Sequence, residues 1–267
     1  MTISTKSFQL KDESAAEVKS GSDATRIWDK FLTDRDKEIF ANSGYGRRGG
    51  FGKRPALVIV DVNYNFVGDK PTNITSQIKQ WRNACGVEGW EAVGVIGKVI
   101  ESCRARNVPI FYTTNTRRPD GWDATSRRWK NHRALENYER ETSGNQIVKE
   151  IAPEPRDIVI VKHKPSGFFG TPLLSFLNFL QVDTLLVCGV STSGCVRATV
   201  TDAFSNNYRV SLIEDACFDR SEASHAVSLC DINAKYADVI GSEEAIGYVK
   251  GLQDDLFDLP TGTLIST

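Results

Sequence analysis

A chain of 267 residues, 40% hydrophobic and 25% charged, has the makeup of one large α/β domain or two small ones. A net charge of −1 excludes the basic footprint of a nucleic-acid binder, and no run approaches the ~20 apolar residues of a membrane span. The opening stretch MTISTKSFQLKDESAAEVKS lacks the apolar core of a secretory signal, and six cysteines without a C-x-x-C pair argue against a zinc ribbon or thioredoxin-type site. The expectation is a cytoplasmic protein, in which the formal sequon Asn73-Ile74-Thr75 carries no meaning.

Residues 1 to about 22 are polar and read as a loose arm. Asp23 is placed to cap a helix running through Arg26, Ile27, Trp28, Phe31, Leu32 and Ile39, whose apolar residues need a surface to pack on, such as another subunit of a homo-oligomer. Residues 1–49 are thus an arm and helix, and residues 50–267 the main domain. The glycine-rich run Ser43 to Gly52 reads as a linker: a phosphate cradle follows a strand and opens a helix, whereas this run precedes a strand. Strand and helix then alternate. Ala56–Val60 is predicted as the first strand, followed by helix Ala92–Arg106, strand Pro109–Thr113, strand Ile158–Val161, helix Pro172–Leu180 and strand Thr184–Val190. After the Cys195 helix come strand Arg209–Ile213, helix Glu222–Lys235 and a short strand Ala237–Ile240. This order predicts a three-layer α/β/α fold on a mostly parallel, open sheet. Between Thr113 and Ile158 lies a charged excursion, helical near Trp129 to Glu141, of the length of a lid, a binding loop or a solvated arm.

Leu185 to Asp202, LLVCGVSTSGCVRATVTD, concentrates the chemistry. An apolar run with the length of a buried parallel strand stops at Ser191-Thr192-Ser193-Gly194, and from Cys195 the apolar positions Val196, Thr199/Val200 and Ala203/Phe204 repeat at helical spacing. Cys195 therefore falls in the first turn of a helix. Free N–H groups and the positive end of the macrodipole there favour a thiolate, so its pKa is expected to fall, and the same N–H groups can hold an oxyanion. Most free cysteines are small buried hydrophobes, and Cys85, Cys103, Cys188, Cys217 and Cys230 fit that description. Only Cys195 combines a preceding glycine, a strand-to-helix turn and a helix start.

In open α/β sheets the site lies at the carboxyl ends of the strands. Asp61, Lys162 and Cys195 each mark such an end, with Lys164 the second-choice lysine. A carboxylate beside a thiol can take its proton, and a lysine near both keeps the carboxylate ionised and stabilises developing negative charge. The three histidines, His132, His163 and His225, do not form a metal constellation, and His163 should point away from its neighbour Lys162.

Three segments, PALVIVDVNYNF around Asp61, VIVKHKPSGFFGTPL around Lys162 and LLVCGVSTSGCVRATVTDAF around Cys195, resemble in order the signature segments of the isochorismatase-like cysteine hydrolases, in particular their carbamoylsarcosine-amidase branch. The likeness runs from about Gly50 onward. It implies an amidohydrolase acting on a small linear amide or ureide, with Asp61 as base, Lys162 as its support and Cys195 as nucleophile; the alternatives are a maleamate or biuret-type amidohydrolase and, from a different class, a catalytically silent structural or regulatory relative. It further implies a cis peptide at Val190-Ser191 and oxyanion donors from the backbone N–H groups of Ser191 and Cys195. Arg220, in EDACFDR, matches the position that holds a substrate carboxylate, and Phe66 and Asn115 are further candidate substrate contacts. The histidine-based metal site of the nicotinamidase branch has no counterpart between Thr113 and Ala124, so neither a metal nor a cofactor is expected.

Overall fold

The computed structural model describes residues 25–124 and 142–262. Among the described residues six strands form one parallel sheet in the order β3-β2-β1-β4-β5-β6: β1 (Pro55–Val60), β2 (Ile110–Thr114), β3 (Ile158–Val161), β4 (Thr184–Val190), β5 (Arg209–Phe218) and β6 (Asp238–Ile240). The central strands β1 and β4 are buried at every residue, which is why they read as unbroken apolar runs rather than alternating ones. Helices α2 (Val87–Ala105) and α6 (Ser242–Lys250) pack together and on β5. Helices α4 (Arg197–Ser205) and α5 (Glu222–Lys235) pack together and reach β5 and β6, respectively. A short α3 (Leu173–Phe179) leads into β4. This is the expected three-layer α/β/α fold. Among the described residues no helix is long and apolar enough to cross a membrane.

The strand order reverses between β1 and β4. From β1 the chain moves outward through β2 to β3, then returns to pair β4 on the other side of β1. The carboxyl ends of these two strands flank the crevice where such sheets bind ligands. The strands meet closely. Gly189, at φ +114°, lies where an added Cβ would stand 2.2 Å from the carbonyl oxygen of Val60.

Several boundaries differ from the sequence reading. From Arg26 to Ile39 the chain is not one helix, and the expected cap Asp23 lies outside the described residues. A 3₁₀ turn, Asp29–Phe31, breaks at Leu32, and Thr33 starts α1 (Asp34–Ser43) with a capping box closed by Asp36. Trp28 is buried in the main core and Arg26 pairs with Glu214 at 2.8 Å, while Ile27, Phe31 and Ile39 are exposed. The glycine-rich linker gives its Gly49 and Gly50 N–H groups to the Asp238 carboxylate, at 2.9 and 2.7 Å, so a side chain of the protein occupies the anion-binding amides. Strand β5 continues past Ile213 to Phe218 because a register shift opposite Val187 and Gly189 lets Cys217 and Phe218 pair with β4. Helix α6 had no counterpart in the sequence reading. Its first residue, Ser242, gives its N–H and hydroxyl to Asp215 of β5, a cap that only the folded chain supplies. Helix α2 starts five residues before the expected Ala92. The proposed helical part of the excursion, Trp129 to Glu141, and His132 lie outside the described residues.

Candidate active site

Asp61 follows the last residue of β1 and is held at φ +55°, in the left-handed region that Asp tolerates better than most side chains. Its position is fixed by the neighbouring strand. Its N–H reaches the Thr113 carbonyl (3.2 Å) and hydroxyl (3.1 Å), and that hydroxyl donates to Asp61 Oδ1 at 2.7 Å. Oδ2 meets Lys162 Nζ at 2.7 Å, in an ion pair with both side chains at least nine-tenths buried.

Lys162 follows the last residue of β3 and is 1% exposed. Its three ammonium donors have three partners: Asp61 Oδ2, the Lys164 carbonyl at 3.1 Å and Cys195 Sγ at 3.4 Å. Burial works against its charge, but Asp61 and Cys195 together outweigh burial and hold the ammonium above its ordinary range. Lys164, the second-choice lysine, contributes a backbone carbonyl to this centre. His163 is exposed beside the buried Lys162, pointing away from it as the alternation of an extended segment requires.

Cys195 lies in a turn of π-helix, Thr192–Val196, that leads directly into α4, and the Val190–Ser191 peptide before this turn is cis. The Ser191 carbonyl accepts from the N–H groups of Gly194 (2.9 Å) and Val196 (3.2 Å), which folds the turn around Cys195. Thr199, one helical turn on, donates to the Cys195 carbonyl (2.7 Å) and accepts from the Gly167 N–H (2.9 Å), tying the turn to the loop after Lys162. The expectation that the helix start lowers the thiol pKa is overturned. Burial first, and the Asp61 carboxylate second, push it up to about 12 against the opposing pull of Lys162. At rest Lys162 is an ammonium and Cys195 a thiol. The other five cysteines are free and buried, as expected of packing residues.

Arg220 lies two residues past β5, at the same carboxyl edge, but no hydrogen bond or ion pair joins it to Asp61, Lys162 or Cys195. Its guanidinium donates to the Asn83 carbonyl at 2.9 Å and stands on the wall of a cavity of about 910 Å³ that Cys85, Glu88, Asp219 and His225 also line. Neither Asp219 nor Glu222 forms an ion pair with that guanidinium. Glu222 pairs with Lys30, and Asp219 accepts from the Arg220 backbone N–H at 2.7 Å. Phe66 is half-buried on a helical turn, Tyr64–Val67, against the core. Asn115 follows β2, and its Oδ1 is buried without a hydrogen-bond partner. Among the described residues no three metal-ligating side chains cluster.

The sequence reading missed Thr113, Thr199 and Asp219. Thr113 is the β2 partner of Val60, so an extended register from β1 to β2 would have placed its hydroxyl beside Asp61. Thr199 sits four residues after Cys195 on the face that the helical stripe had marked as apolar.

The order of the strands, with a buried carboxylate and lysine and a half-buried thiol at the switch point, is that of an isochorismatase-like α/β/α protein. Residues 55–244 match the Isochorismatase domain, and the chain belongs to the isochorismatase family. It is 31% identical to an N-carbamoylsarcosine amidase of Arthrobacter over 80% of this chain and 78% of that one. It is 28% identical to a maleamate amidohydrolase of Pseudomonas putida over 78% and 92%. Of solved structures, N-carbamoylsarcosine amidase from Thermoplasma acidophilum superposes with a TM-score of 0.56 at 30% identity, covering 71% of this chain and 97% of that one.

Proposed function

We propose that the protein is a cysteine amidohydrolase that cleaves a C–N bond of a small linear amide or ureide and releases ammonia. The observation that carries this reading is the contact of buried Lys162 with both the Asp61 carboxylate and the Cys195 thiol. A thiol with its pKa near 12 is a poor nucleophile at neutral pH unless a base takes its proton during attack, and the adjacent carboxylate is that base. Sγ bonds to the substrate carbonyl carbon as its proton passes to Asp61. The carbonyl oxygen becomes an oxyanion that rests on the N–H groups of Ser191 and Cys195. Collapse expels ammonia, which takes the proton from Asp61, and leaves a thioester. Asp61 then activates water to hydrolyse it. Lys162 stays charged throughout, holds Asp61 in place through their ion pair and offsets the charge on sulfur. Water is the only co-reactant.

N-carbamoylsarcosine and related N-carbamoyl acids are the first substrate class, supported by the relatives of that name and by Arg220 at the carboxyl edge. Maleamate and biuret-type ureides follow, the first supported by the Pseudomonas relative. The test is ammonia release by the wild type and by Cys195→Ala across a panel of N-carbamoyl acids, maleamate, biuret and simple amides. Turnover of at least one panel member by the wild type, abolished in a folded Cys195→Ala protein, is expected. Wild-type rates in Cys195→Ala would overturn the mechanism.

A further inference from the structure

The turn that carries Cys195 is held from behind by two side chains outside the reacting cluster. Asp219, just past β5, accepts from the Ser193 N–H (2.8 Å) and the Ser193 hydroxyl (2.6 Å) on Oδ2, and from the Arg220 N–H (2.7 Å) on Oδ1. One carboxylate thus joins the nucleophile turn to the residue expected to meet a substrate carboxylate. The second anchor is His225 of α5. Its Nδ1 lies 2.8 Å from Thr192 Oγ1, and that hydroxyl donates to the Phe218 carbonyl at 3.1 Å. A hydroxyl has one proton to give. With Thr192 giving it to Phe218, the ring must donate through Nδ1–H, and the chain runs His225 to Thr192 to Phe218. Both anchors end on the Phe218–Asp219–Arg220 corner where β5 leaves the sheet. They grip Thr192 and Ser193, between the two residues whose N–H groups would hold the oxyanion.

We infer that Asp219 and His225 are positioning residues that set the oxyanion-binding N–H groups of Ser191 and Cys195 by clamping Thr192 and Ser193 to the end of β5. The inference rests on the proposed cysteine amidohydrolase reading. An oxyanion hole works through donors fixed before the charge develops, so a turn free to shift by a fraction of an ångström loses rate with little loss of substrate binding. Asp219→Asn keeps the shape but replaces one acceptor with a donor facing N–H groups. His225→Ala removes the ring donor, whereas His225→Asn offers an amide N–H at the place of Nδ1.

The experiment compares kcat, KM and thermal midpoint for wild type, Asp219→Asn, His225→Ala and His225→Asn, together with the rate of Cys195 alkylation by iodoacetamide. Alkylation is a displacement at carbon that forms no oxyanion, so it reports the thiol and Asp61 without the hole. Asp219→Asn and His225→Ala are expected to lose about 30- to 100-fold in kcat, with KM and alkylation within about threefold of wild type, and His225→Asn is expected to recover most of the loss. Unchanged kcat in both loss variants overturns the clamp and leaves the proposed function standing. Alkylation falling in parallel with kcat also overturns it, by showing that the residues act on the thiol or on the fold. Failure of the wild type to release ammonia, or its release by Cys195→Ala, overturns the proposed function and the clamp together.

Discussion

At the scale of single residues, the centre works by balance rather than by a lowered thiol pKa. Three influences act on Cys195: burial and Asp61 raise its pKa, and Lys162 lowers it. Asp61→Asn removes one of the two raising influences and leaves the lowering one, so the thiol should ionise at lower pH than in the wild type. It should nevertheless be inactive, because no group remains to carry the proton to departing ammonia. Thiolate absorbance titrated in Asp61→Asn and in wild type, each against its Cys195→Ala counterpart, checks the direction, and an upward shift would show that the carboxylate does not act on the thiol. Arg220 poses a separate question, since it contacts the Asn83 carbonyl rather than the cluster. If it reads a substrate carboxylate, Arg220→Ala is expected to lose roughly 2–4 kcal/mol in kcat/KM for an N-carbamoyl acid and far less for the uncharged amide counterpart. Equal losses on the two substrates would remove that role and favour a neutral ureide.

At the scale of elements, the site depends on β1 and β4 lying close enough to set Asp61 beside Cys195. Gly189 permits this approach. Gly189→Ala would set a methyl against the Val60 carbonyl at a φ of +114°, and overpacking with backbone strain together predict a loss of roughly 2–6 kcal/mol. Urea denaturation measures it, and a loss below 1 kcal/mol would show that the strands can part without cost. The same pair of strands shows what the sequence could convey. Their apolar runs were legible because both faces are covered, so burial leaves an unbroken signature. Asp61, Lys162 and Cys195 were legible because each stands where such a run stops. Strand β5 was cut short because Glu214 and Asp215 look like a strand end, although Glu214 meets Arg26 and Asp215 caps α6. Those partners lie at least 27 residues away in the chain. The thiol pKa was misread for a similar reason. A helix start is local and visible in sequence, whereas burial and a carboxylate from β1 arrive only with the fold.

At the scale of the molecule, the distribution of thiols makes stability fall on the alkaline side. All six cysteines have their pKa raised with burial as the first cause: Cys85, Cys103 and Cys195 to about 12, and Cys188, Cys217 and Cys230 also upward. The sign follows from proton counts. Above the ordinary thiol value of 9.0 the unfolded chain releases protons that the folded chain keeps, so the stabilisation is complete below pH 9 and is lost as pH climbs toward the folded values. Lys162, also raised, acts in the same direction from 10.5 upward. Each fully buried thiol contributes a slope of at most about 1.4 kcal/mol per pH unit in this window. Cys103 isolates one such term, because burial is the only cause of its shift and it stands on α2 away from the candidate site. Cys103→Ala should lower stability at pH 7.5 through the lost packing, yet lose less than the wild type between pH 9 and pH 10.5. Urea midpoints and slopes at pH 7.5, 9 and 10.5 for the two proteins decide the matter, and parallel curves would show that Cys103 ionises as readily in the folded chain as in the unfolded one.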